Sequence, residues 1–374
     1  MDHHRRYIVG LSGGVDSAVA ALLLREQGHE VQGLFMRNWE DGDSATHCSA
    51  EQDLACARQV CDQLEVPLHM VSFVREYRAE VFDHCLREYR CGRTPNPDVL
   101  CNRRIKFRAF LHYAQRLGAE RIATGHYARN IERNGAHHLF MAKDTAKDQS
   151  YFLYTLGQHQ LARATFPLGD QVKAEVRALA EQAGFDNFDR KDSTGICFIG
   201  ERDFRPFLSR YIEPRPGPIE TPQGVVIGQH QGVSFYTLGQ RQGLEIGGRA
   251  GHSGRPWYVV GKELAGNRLI VAQGHEHPLL MSTGLEAADL CWVAGRSPRT
   301  PLRCSAKTRY RQGSQSCVVE TSSADRARVL FDQPQRALAP GQSVVFYSDE
   351  ECLGGGVIER SFTEHALERR HEIA

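Results

Sequence analysis

The first third of the chain alternates between short apolar runs and longer segments in which apolar residues recur at helical spacing. The short runs have the character of buried strands and span residues 7–9, 29–36, 67–73 and 121–124. The longer segments have the periodicity of helices and span residues 18–27, 50–64, 75–89 and 105–117. This alternation predicts a parallel sheet with crossover helices, in which ligands bind beyond the carboxyl ends of the strands. The loops after Val9, Met36 and Ala123 should therefore converge on one site.

The pattern changes after residue 213. Before it, residues 129–142 predict a hairpin that turns at Asn134–Gly135, and short helices are expected over 147–156, 172–183 and 205–210. Beyond it, proline and glycine separate short apolar runs, which is typical of all-β structure. These runs are 224–228, 232–239, 256–263, 268–274, 317–320, 327–331, 343–347 and 354–359. We predict an α/β fold with three domains: an N-terminal parallel-sheet domain (1–207), a small central mostly-β domain (208–284) and a C-terminal β-barrel (285–374).

The composition is that of a soluble globular protein, with 374 residues, 41% hydrophobic and 24% charged. No apolar run approaches the roughly twenty residues that span a bilayer, and the N-terminus lacks the apolar segment of a signal peptide. We expect a cytoplasmic protein without a membrane partner. The formal net charge of +1 does not indicate nucleic-acid binding, although two basic runs without acids lie at residues 103–116 and 291–319.

The chain has eleven cysteines and no CxxC pair. This usage fits a reducing compartment and predicts neither a structural metal nor an iron–sulfur cluster. Cys101 is followed by three cations (Arg103, Arg104 and Lys106) that should lower the pKa of its thiol. Cys197 lies in a glycine-flanked loop that can expose it.

Residues 10–17 form the glycine-rich stretch GLSGGVDS between the first strand and the first helix. Such a loop points backbone N–H groups into a cup at the helix N-terminus, where phosphate binds. Asp16 is placed to help hold Mg²⁺, which needs few protein ligands besides phosphates and water. The loop lacks the lysine of Walker-type loops, so we expect release of pyrophosphate rather than cleavage of the γ-phosphate.

This loop resembles the PP-loop of ATP pyrophosphatases, which adenylate a carbonyl oxygen and release pyrophosphate. Other stretches resemble the tRNA-specific 2-thiouridylase family (MnmA) between residues 7 and 359: GRTPNPDVLCN, IATGHY, KDQSYFLY, DSTGICFIG, TLGQRQGL, PWYVV, AKTRYRQG and CLGGGVIE. The pairing of DSTGICFIGER with TPNPDVLCN is very specific. The resemblance implies a sulfurtransferase that uses ATP and Mg²⁺ to thiolate the wobble uridine of a tRNA anticodon at C2.

The resemblance also implies a role for particular residues. The ATP-binding set comprises Gly10, Leu11, Ser12, Gly13, Gly14, Val15, Asp16, Ser17, Met36 and Gly125. The residues expected to meet the target base are Asn96, Pro97 and Asp98. The residues expected to contact the rest of the tRNA are His126, Lys147, Asp148, Gln149, Arg309, Tyr310 and Gln342. The tRNA is expected to carry an anticodon of the Lys, Glu or Gln type.

In the implied reaction, Cys197 carries a persulfide whose sulfur attacks the adenylated uridine, or is released as sulfide that does so. Cys101 then resolves the persulfide and leaves a transient Cys101–Cys197 disulfide for a reductant to reopen. Asp98 is close enough to Cys101 to act as acid or base or to contact the target base, and a role in capping the helix that contains Cys101 is compatible with either. The sulfur is expected to arrive from an upstream sulfur carrier or a cysteine desulfurase.

Three other functions share some of these features. One is a different PP-loop pyrophosphatase acting on tRNA, such as a lysidine synthetase, and another is an amide-forming synthetase. Both should lack the pair of loop cysteines, Cys101 and Cys197. The third is a tRNA-binding or sulfur-relay protein without catalysis, against which the intact SGGVDS loop with Asp16 argues.

Overall fold

The computed structural model describes residues 4–40, 49–191, 204–246 and 254–363, leaving aside the side chains of residues 49 and 50. These residues form a five-stranded, a four-stranded and an eight-stranded sheet, the last of which includes one hairpin from the N-terminal segment. No helix in the described ranges is long and apolar enough to cross a membrane.

The five-stranded sheet is entirely parallel and has the order β3-β2-β1-β4-β7. The strands of the N-terminal segment are Arg6–Leu11 (β1), Glu30–Arg37 (β2), Leu68–Ser72 (β3), Arg121–Thr124 (β4), Ala128–Arg133 (β5), Ala136–Met141 (β6) and Ala164–Thr165 (β7). Successive residues of β1 enter two different cores, with Val9 on one face and Ile8 on the other. Burial on both faces explains the unbroken apolar run of β1 from Tyr7 to Leu11.

The helices that cover this sheet lie close to the predicted positions. They are Val15–Glu26 (α1), Ser49–Leu64 (α2), Val74–Tyr77 (α3), Asp83–Arg90 (α4), Pro97–Cys101 (α5), Leu111–Arg116 (α6), Ser150–Leu153 (α7), Gln158–Leu161 (α8), Lys173–Gln182 (α9) and Phe204–Ser209 (α10). Two π-helical segments make longer rods continuous: Arg78–Phe82 joins α3 to α4, and Asn102–Phe110 joins α5 to α6.

The second rod, residues 97–116, begins eight residues before the predicted helix. The two prolines of the preceding stretch suggest a loop, but Pro97 occupies the first helical turn, where its missing N–H costs nothing. Asn96 is the N-cap, and its side-chain oxygen accepts the Val99 N–H at 3.3 Å. Because the rod leads into the parallel strand β4, its N-terminal end lies at the carboxyl edge of the sheet.

The predicted hairpin is present, since β5 and β6 pair around Asn134 and Gly135, both with positive φ. Its strand β6 also pairs with the last strand of the chain, matching Phe140 with Glu351 and Leu139 with Cys352. The hairpin therefore ties the N-terminal segment to the C-terminal sheet.

The central sheet has the order β10-β11-β8-β9. Its strands are Gly217–Glu220 (β8), Val226–His230 (β9), Trp257–Glu263 (β10) and Arg268–Gln273 (β11). The strand predicted over 232–239 is wrong, because Val233–Phe235 is a single 3₁₀ turn that follows Gly232 at φ +141°. Val233, Phe235 and Tyr236 are all buried, so this apolar run fills the core without strand alternation.

The C-terminal strands are Met281–Trp292 (β12), Leu302–Lys307 (β13), Gln315–Ser323 (β14), Arg326–Arg336 (β15), Ser343–Ser348 (β16) and Glu351–Phe362 (β17), with a 3₁₀ turn at Pro278–Leu280 before them. β12 pairs with both β15 and β17, which closes six antiparallel strands into a barrel. The predicted barrel is confirmed. Strands β12 and β13 were not among the predicted runs, since their polar residues interrupt the apolar pattern.

Candidate active site

The loop between β1 and α1 is shaped by its own serines. Ser17 Oγ donates to the Gly14 carbonyl oxygen at 2.9 Å, and the Ser12 N–H donates to Ser17 Oγ at 3.1 Å. The N-cap residue Gly14 has no side chain that could occupy the helix N-terminus. The first N–H groups of α1 therefore face the loop without a side-chain cap, which is the arrangement that binds phosphate.

Two glycines allow neighbouring backbone to approach this loop. Gly13 has φ +76°, and a Cβ built on it would lie 2.6 Å from the Cα of Asp53 on α2. A Cβ on Gly125, just beyond β4, would lie 2.7 Å from both the Asp16 carbonyl carbon and the Ser17 nitrogen. On the other face, a Cβ on Gly10 would lie 3.4 Å from Met36 Cε at the end of β2. The loops after Val9 and Ala123 meet as predicted, whereas most of the loop after Met36 lies outside the described residues.

The carboxylate of Asp16 has two partners from distant parts of the chain. Its Oδ1 accepts the Lys173 ammonium at 2.7 Å and the Tyr127 hydroxyl at 2.8 Å. The Lys173 side chain is 11% exposed, so this ion pair is largely buried. The loop itself contains no lysine, but the fold brings Lys173, at the start of α9, to Asp16. Lys173 could have been suspected from topology alone. It begins the helix that follows β7, and the carboxyl end of this parallel strand lies at the same edge of the sheet as the loop.

This arrangement fits one Mg²⁺ ligand. The described contacts of Asp16 use Oδ1, which leaves Oδ2 as an oxygen donor of the kind Mg²⁺ prefers. Within the described ranges no group of three or more His, Cys, Asp or Glu side chains could hold a metal by itself. A magnesium ion here would depend on phosphate oxygens and water for its other ligands.

Two residues that follow α9 donate hydrogen bonds to the backbone of this loop. The Gly13 carbonyl oxygen accepts from Asn187 Nδ2 at 2.9 Å and from an Arg190 guanidinium nitrogen at 3.2 Å. The same guanidinium pairs with Asp53 at 2.6 Å, against which Gly13 packs. These residues also escaped sequence reasoning, because hydrogen bonds between side chains and distant backbone leave no periodic pattern.

Cys101 and Asp98 lie in the first turns of the rod over residues 97–116. Cys101 is fully buried, whereas Asp98 is partly exposed. Burial, together with the charge of the nearby Asp98 carboxylate, raises the pKa of the Cys85 thiol to about 12. Asp98 therefore lies near α4. The suggested capping role of Asp98 is wrong, because Asn96 provides the cap.

The segment before Asn96 is held by the other two domains. The Thr94 N–H donates to the Pro340 carbonyl oxygen at 2.8 Å, and its hydroxyl lies 3.1 Å from that of Thr237. Gln342 Nε2 donates to the carbonyl oxygens of Thr94 at 2.9 Å and Pro95 at 3.2 Å. The barrel and the central domain thus position the end of the rod that carries Asp98 and Cys101.

Two residues predicted to contact tRNA, His126 and Asp148, have largely buried side chains. His126 is 8% exposed and its Nδ1 lies 2.8 Å from the Thr124 hydroxyl. Burial lowers its pKa well below the usual value, so the ring is neutral at pH 7. The Asp148 carboxylate, 5% exposed, accepts the N–H groups of Ala142 and Ser150 and pairs with Lys307 at 3.4 Å. Both side chains have internal polar partners, as buried polar groups usually do, and their tRNA roles stay predictions.

Other predicted tRNA contacts lie nearer the surface and also have internal partners. Gln149 Oε1 accepts the Tyr127 N–H at 3.0 Å, and Arg309 donates to the carbonyl oxygens of Leu238 and Ala337. Burial lowers the pKa of the Arg309 guanidinium. Tyr310 packs its ring 4.5 Å from that of Phe152, and Lys147 is partly exposed. The tRNA roles of these residues stay predictions.

Cys197 lies outside the described residues. The predicted Cys101–Cys197 pairing, the persulfide role and the lowered pKa of the Cys101 thiol therefore stay predictions.

Family models cover most of the chain. One described as a tRNA methyl transferase HUP domain matches residues 5–201, and one described as a tRNA methyl transferase PRC-barrel domain matches residues 205–273. A third, described as an aminomethyltransferase beta-barrel domain, matches residues 282–358. Their order agrees with the three sheets.

Three relatives match over nearly their whole length, and each is described as tRNA-specific 2-thiouridylase MnmA. The protein of Alkalilimnicola ehrlichii is 60% identical over 355 residues, covering 95% of this chain and 97% of its own. That of Methylococcus capsulatus is 60% identical over 357 residues, with coverages of 95% and 96%. That of Proteus mirabilis is 55% identical over 361 residues, with coverages of 96% and 98%.

Proposed function

This chain belongs to the tRNA-specific 2-thiouridylase family, and we propose that it uses ATP to replace the C2 oxygen of a tRNA uridine by sulfur. The observation that carries the proposal is the meeting of two features at one edge of the sheet. One is the phosphate-type loop with the Asp16–Lys173 pair, and the other is the capped rod that presents Asp98 and Cys101.

The loop suits the pyrophosphate that leaves when ATP adenylates an oxygen. The N–H groups at the start of α1 and the Ser12 hydroxyl supply hydrogen-bond donors, while Lys173 supplies the positive charge and Ser17 holds the loop through Gly14. Met36 and Gly125 flank the loop where the adenosine would lie. When bound, Mg²⁺ neutralises phosphate charge, and Asp16 is the residue that would hold it.

In this proposal, the target uridine lies along the rod over residues 97–116, next to the nucleotide. Phe110 of the rod lies beside Gly10 at the end of β1, and Cys101 lies nine residues earlier in the rod, on the order of 10 Å farther out. A uracil between them meets Asn96, Pro97 and Asp98 on one side and the α-phosphate of ATP on the other. Its O2 attacks the α-phosphorus, pyrophosphate leaves, and C2 now carries AMP as a leaving group.

Sulfur transfer then uses the two cysteines. The terminal sulfur of a Cys197 persulfide attacks C2 and expels AMP, after which the Cys101 thiolate attacks the inner sulfur of Cys197. The electron pair of the broken S–S bond goes to the sulfur on C2, leaving the thiolated base and a Cys101–Cys197 disulfide. A thiol reductant reopens that disulfide. Release of sulfide from Cys197 before attack is the alternative order.

The wobble uridine suits such a site because an anticodon loop is single-stranded, so turning the base outward costs little. We propose tRNAs with Lys, Glu or Gln anticodons as substrates, and an upstream sulfur carrier or a cysteine desulfurase as the source of persulfide sulfur. Lys147 and Tyr310 are the surface residues best placed for phosphate and base contacts.

The test combines the protein with tRNA, ATP–Mg²⁺, and a cysteine desulfurase with cysteine as sulfur source. Mass analysis of the nucleosides should find 2-thiouridine at the wobble position, with one AMP per sulfur inserted. Cys197→Ser should abolish thiolation and leave uridine adenylation detectable. Equal thiolation by Cys197→Ser would refute the persulfide mechanism, and tRNA binding without AMP formation would favour a non-catalytic protein.

A further inference from the structure

A second pair of thiols lies in the C-terminal barrel, far along the chain from Cys101. Cys304 on β13 and Cys317 on β14 are directly opposite each other in the antiparallel register. Their sulfur atoms are 3.8 Å apart, and both thiols are free. Opposite residues in such a ladder have Cα atoms about 4.5–5.5 Å apart, within the range of about 4.4–6.8 Å that a disulfide spans.

The two thiols differ in access and charge. Cys317 is fully buried in the barrel core, whereas Cys304 is partly exposed at its edge. The hydrogen bond between the two thiols and the charge of Arg303 lower the pKa of Cys304, while the same hydrogen bond and burial raise that of Cys317. Of the two thiols, Cys304 is therefore the one that solvent-borne reagents reach first, with Cys317 held beside it.

We propose that Cys304 and Cys317 are a redox-active dithiol that closes reversibly when it meets a small-molecule disulfide. The Cys304 thiolate attacks one sulfur of the reagent and expels the other as a thiolate, which forms a mixed disulfide. Cys317 then loses its proton and attacks the Cys304 sulfur, expelling the second thiolate. The protein loses two hydrogens, and the reagent is reduced to two thiols.

A Cys304–Cys317 disulfide would cross-link the two strands of the β13–β14 hairpin. The segment between β13 and β14 carries Arg309 and Tyr310, whose side chains contact the central domain and the Phe152 ring. Lys307, at the end of β13, pairs with the buried Asp148. A covalent bond at the base of this hairpin fixes the separation of its strands and so links thiol redox state to the surface around Tyr310. This inference does not depend on the thiolation activity.

The experiment treats the full-length protein with oxidised glutathione and maps tryptic peptides without reduction. We expect the peptides that contain Cys304 and Cys317 to be recovered as one disulfide-linked species, reverting on addition of dithiothreitol. Cys304→Ser should remove that species, and Cys291→Ser, at a partly buried thiol on β12, should not. The readout in the unmodified chain does not require any variant to fold.

Two outcomes would overturn the proposal. One is stable glutathionylation of Cys304 without closure, which would mean that Cys317 does not resolve it. The other is recovery of both peptides as free thiols after the partly exposed Cys291 has reacted. Thiolation assays run in parallel separate this result from the proposed function, because either can fail while the other holds.

Discussion

Lys173 and Asp16 lie 157 positions apart in the chain and form a largely buried ion pair at the mouth of the loop. At the scale of single residues, this pair gives the loop the cation that its own sequence lacks. A lysine ammonium that faces phosphate stabilises the negative charge that develops on a leaving pyrophosphate, and it does so more strongly where water is excluded. The pair also fixes the Asp16 carboxylate before any ligand arrives.

Lys173→Met should lower the rate of AMP formation from ATP and tRNA by about a hundredfold, because it removes the only charged partner described for Asp16 and a donor to pyrophosphate. Radiolabelled ATP and thin-layer separation of AMP measure this rate. Lys143→Met, which changes an exposed lysine near the same helix, is the control and should retain the rate. Equal rates for both variants would contradict the role given to Lys173.

His126 makes a different kind of prediction, concerning stability. Its folded-state pKa lies well below the ordinary value of 6.5, so the unfolded chain takes up the proton first as pH falls. Stability should therefore be lost as pH decreases below about 6.5 and toward the folded-state pKa. Thermal unfolding between pH 7 and pH 5 should show a flatter decline for His126→Gln than for the unmodified chain. His112→Gln, at an exposed histidine, should decline like the unmodified chain.

At the scale of elements, the site is built by loops that pack backbone against backbone. The loop after β4 lies directly on the first turn of α1, which leaves no room for a side chain at Gly125. The rod over residues 97–116 is aligned by its Asn96 cap at one end, and Phe110 reaches Gly10 from its middle. Small residues at these contacts are therefore part of the geometry of the nucleotide site.

Gly125→Ala should disturb the start of α1, because the added Cβ would lie 2.7 Å from backbone atoms of Asp16 and Ser17. We expect a loss of about 1–3 kcal/mol in stability from overpacking, together with at least tenfold weaker ATP binding. Calorimetric titration with ATP–Mg²⁺ and chemical unfolding measure the two effects. Gly157→Ala, whose Cβ would have an ordinary contact of 3.5 Å, should preserve both quantities.

At the scale of the whole molecule, the three domains meet on the few residues before Asn96. The barrel supplies Pro340 and Gln342, and the central domain supplies Thr237. The central domain also supplies Lys262, whose ammonium donates to the Gly92 carbonyl oxygen at 2.8 Å and whose pKa burial lowers to about 8. These contacts give both β-rich domains a part in the site without contributing a reacting group.

Gln342→Ala should therefore loosen the segment before Asn96 and, through it, the first turns of the rod that contain Cys101. Losing its two hydrogen bonds to the Thr94 and Pro95 carbonyl oxygens costs about 1–2 kcal/mol and should make local opening around Cys101 roughly tenfold more frequent. The rate of Cys101 alkylation in the absence of tRNA, followed by peptide mass, should rise accordingly. The exposed Gln333→Ala variant is the control. An unchanged alkylation rate with weaker tRNA binding would instead make Gln342 a direct tRNA contact.

The sequence by itself determined the parts of this protein that depend on local patterns. Apolar runs alternating with helical periodicity gave the parallel sheet, and Asn134–Gly135 gave the hairpin, because backbone preferences and burial act over a few residues. The loop over residues 10–17 was also evident, since its glycines and hydroxyls carry their chemistry in place. Local patterns were misleading at two places. The apolar run at 232–239 fills the core without forming a strand, and the Asn96 cap starts the helix at Pro97 and not at residue 105.

Only the tertiary structure decided which distant side chains complete the site. It brought Lys173 to Asp16, Asn187 and Arg190 to Gly13, and Gln342 to Thr94. It also gave His126 and Asp148 largely buried side chains with internal polar partners, which no local pattern indicated. Ion pairs and hydrogen bonds of this kind depend on how whole elements pack against each other. Because the partners are far apart in the chain, no repeating pattern in the sequence predicts them.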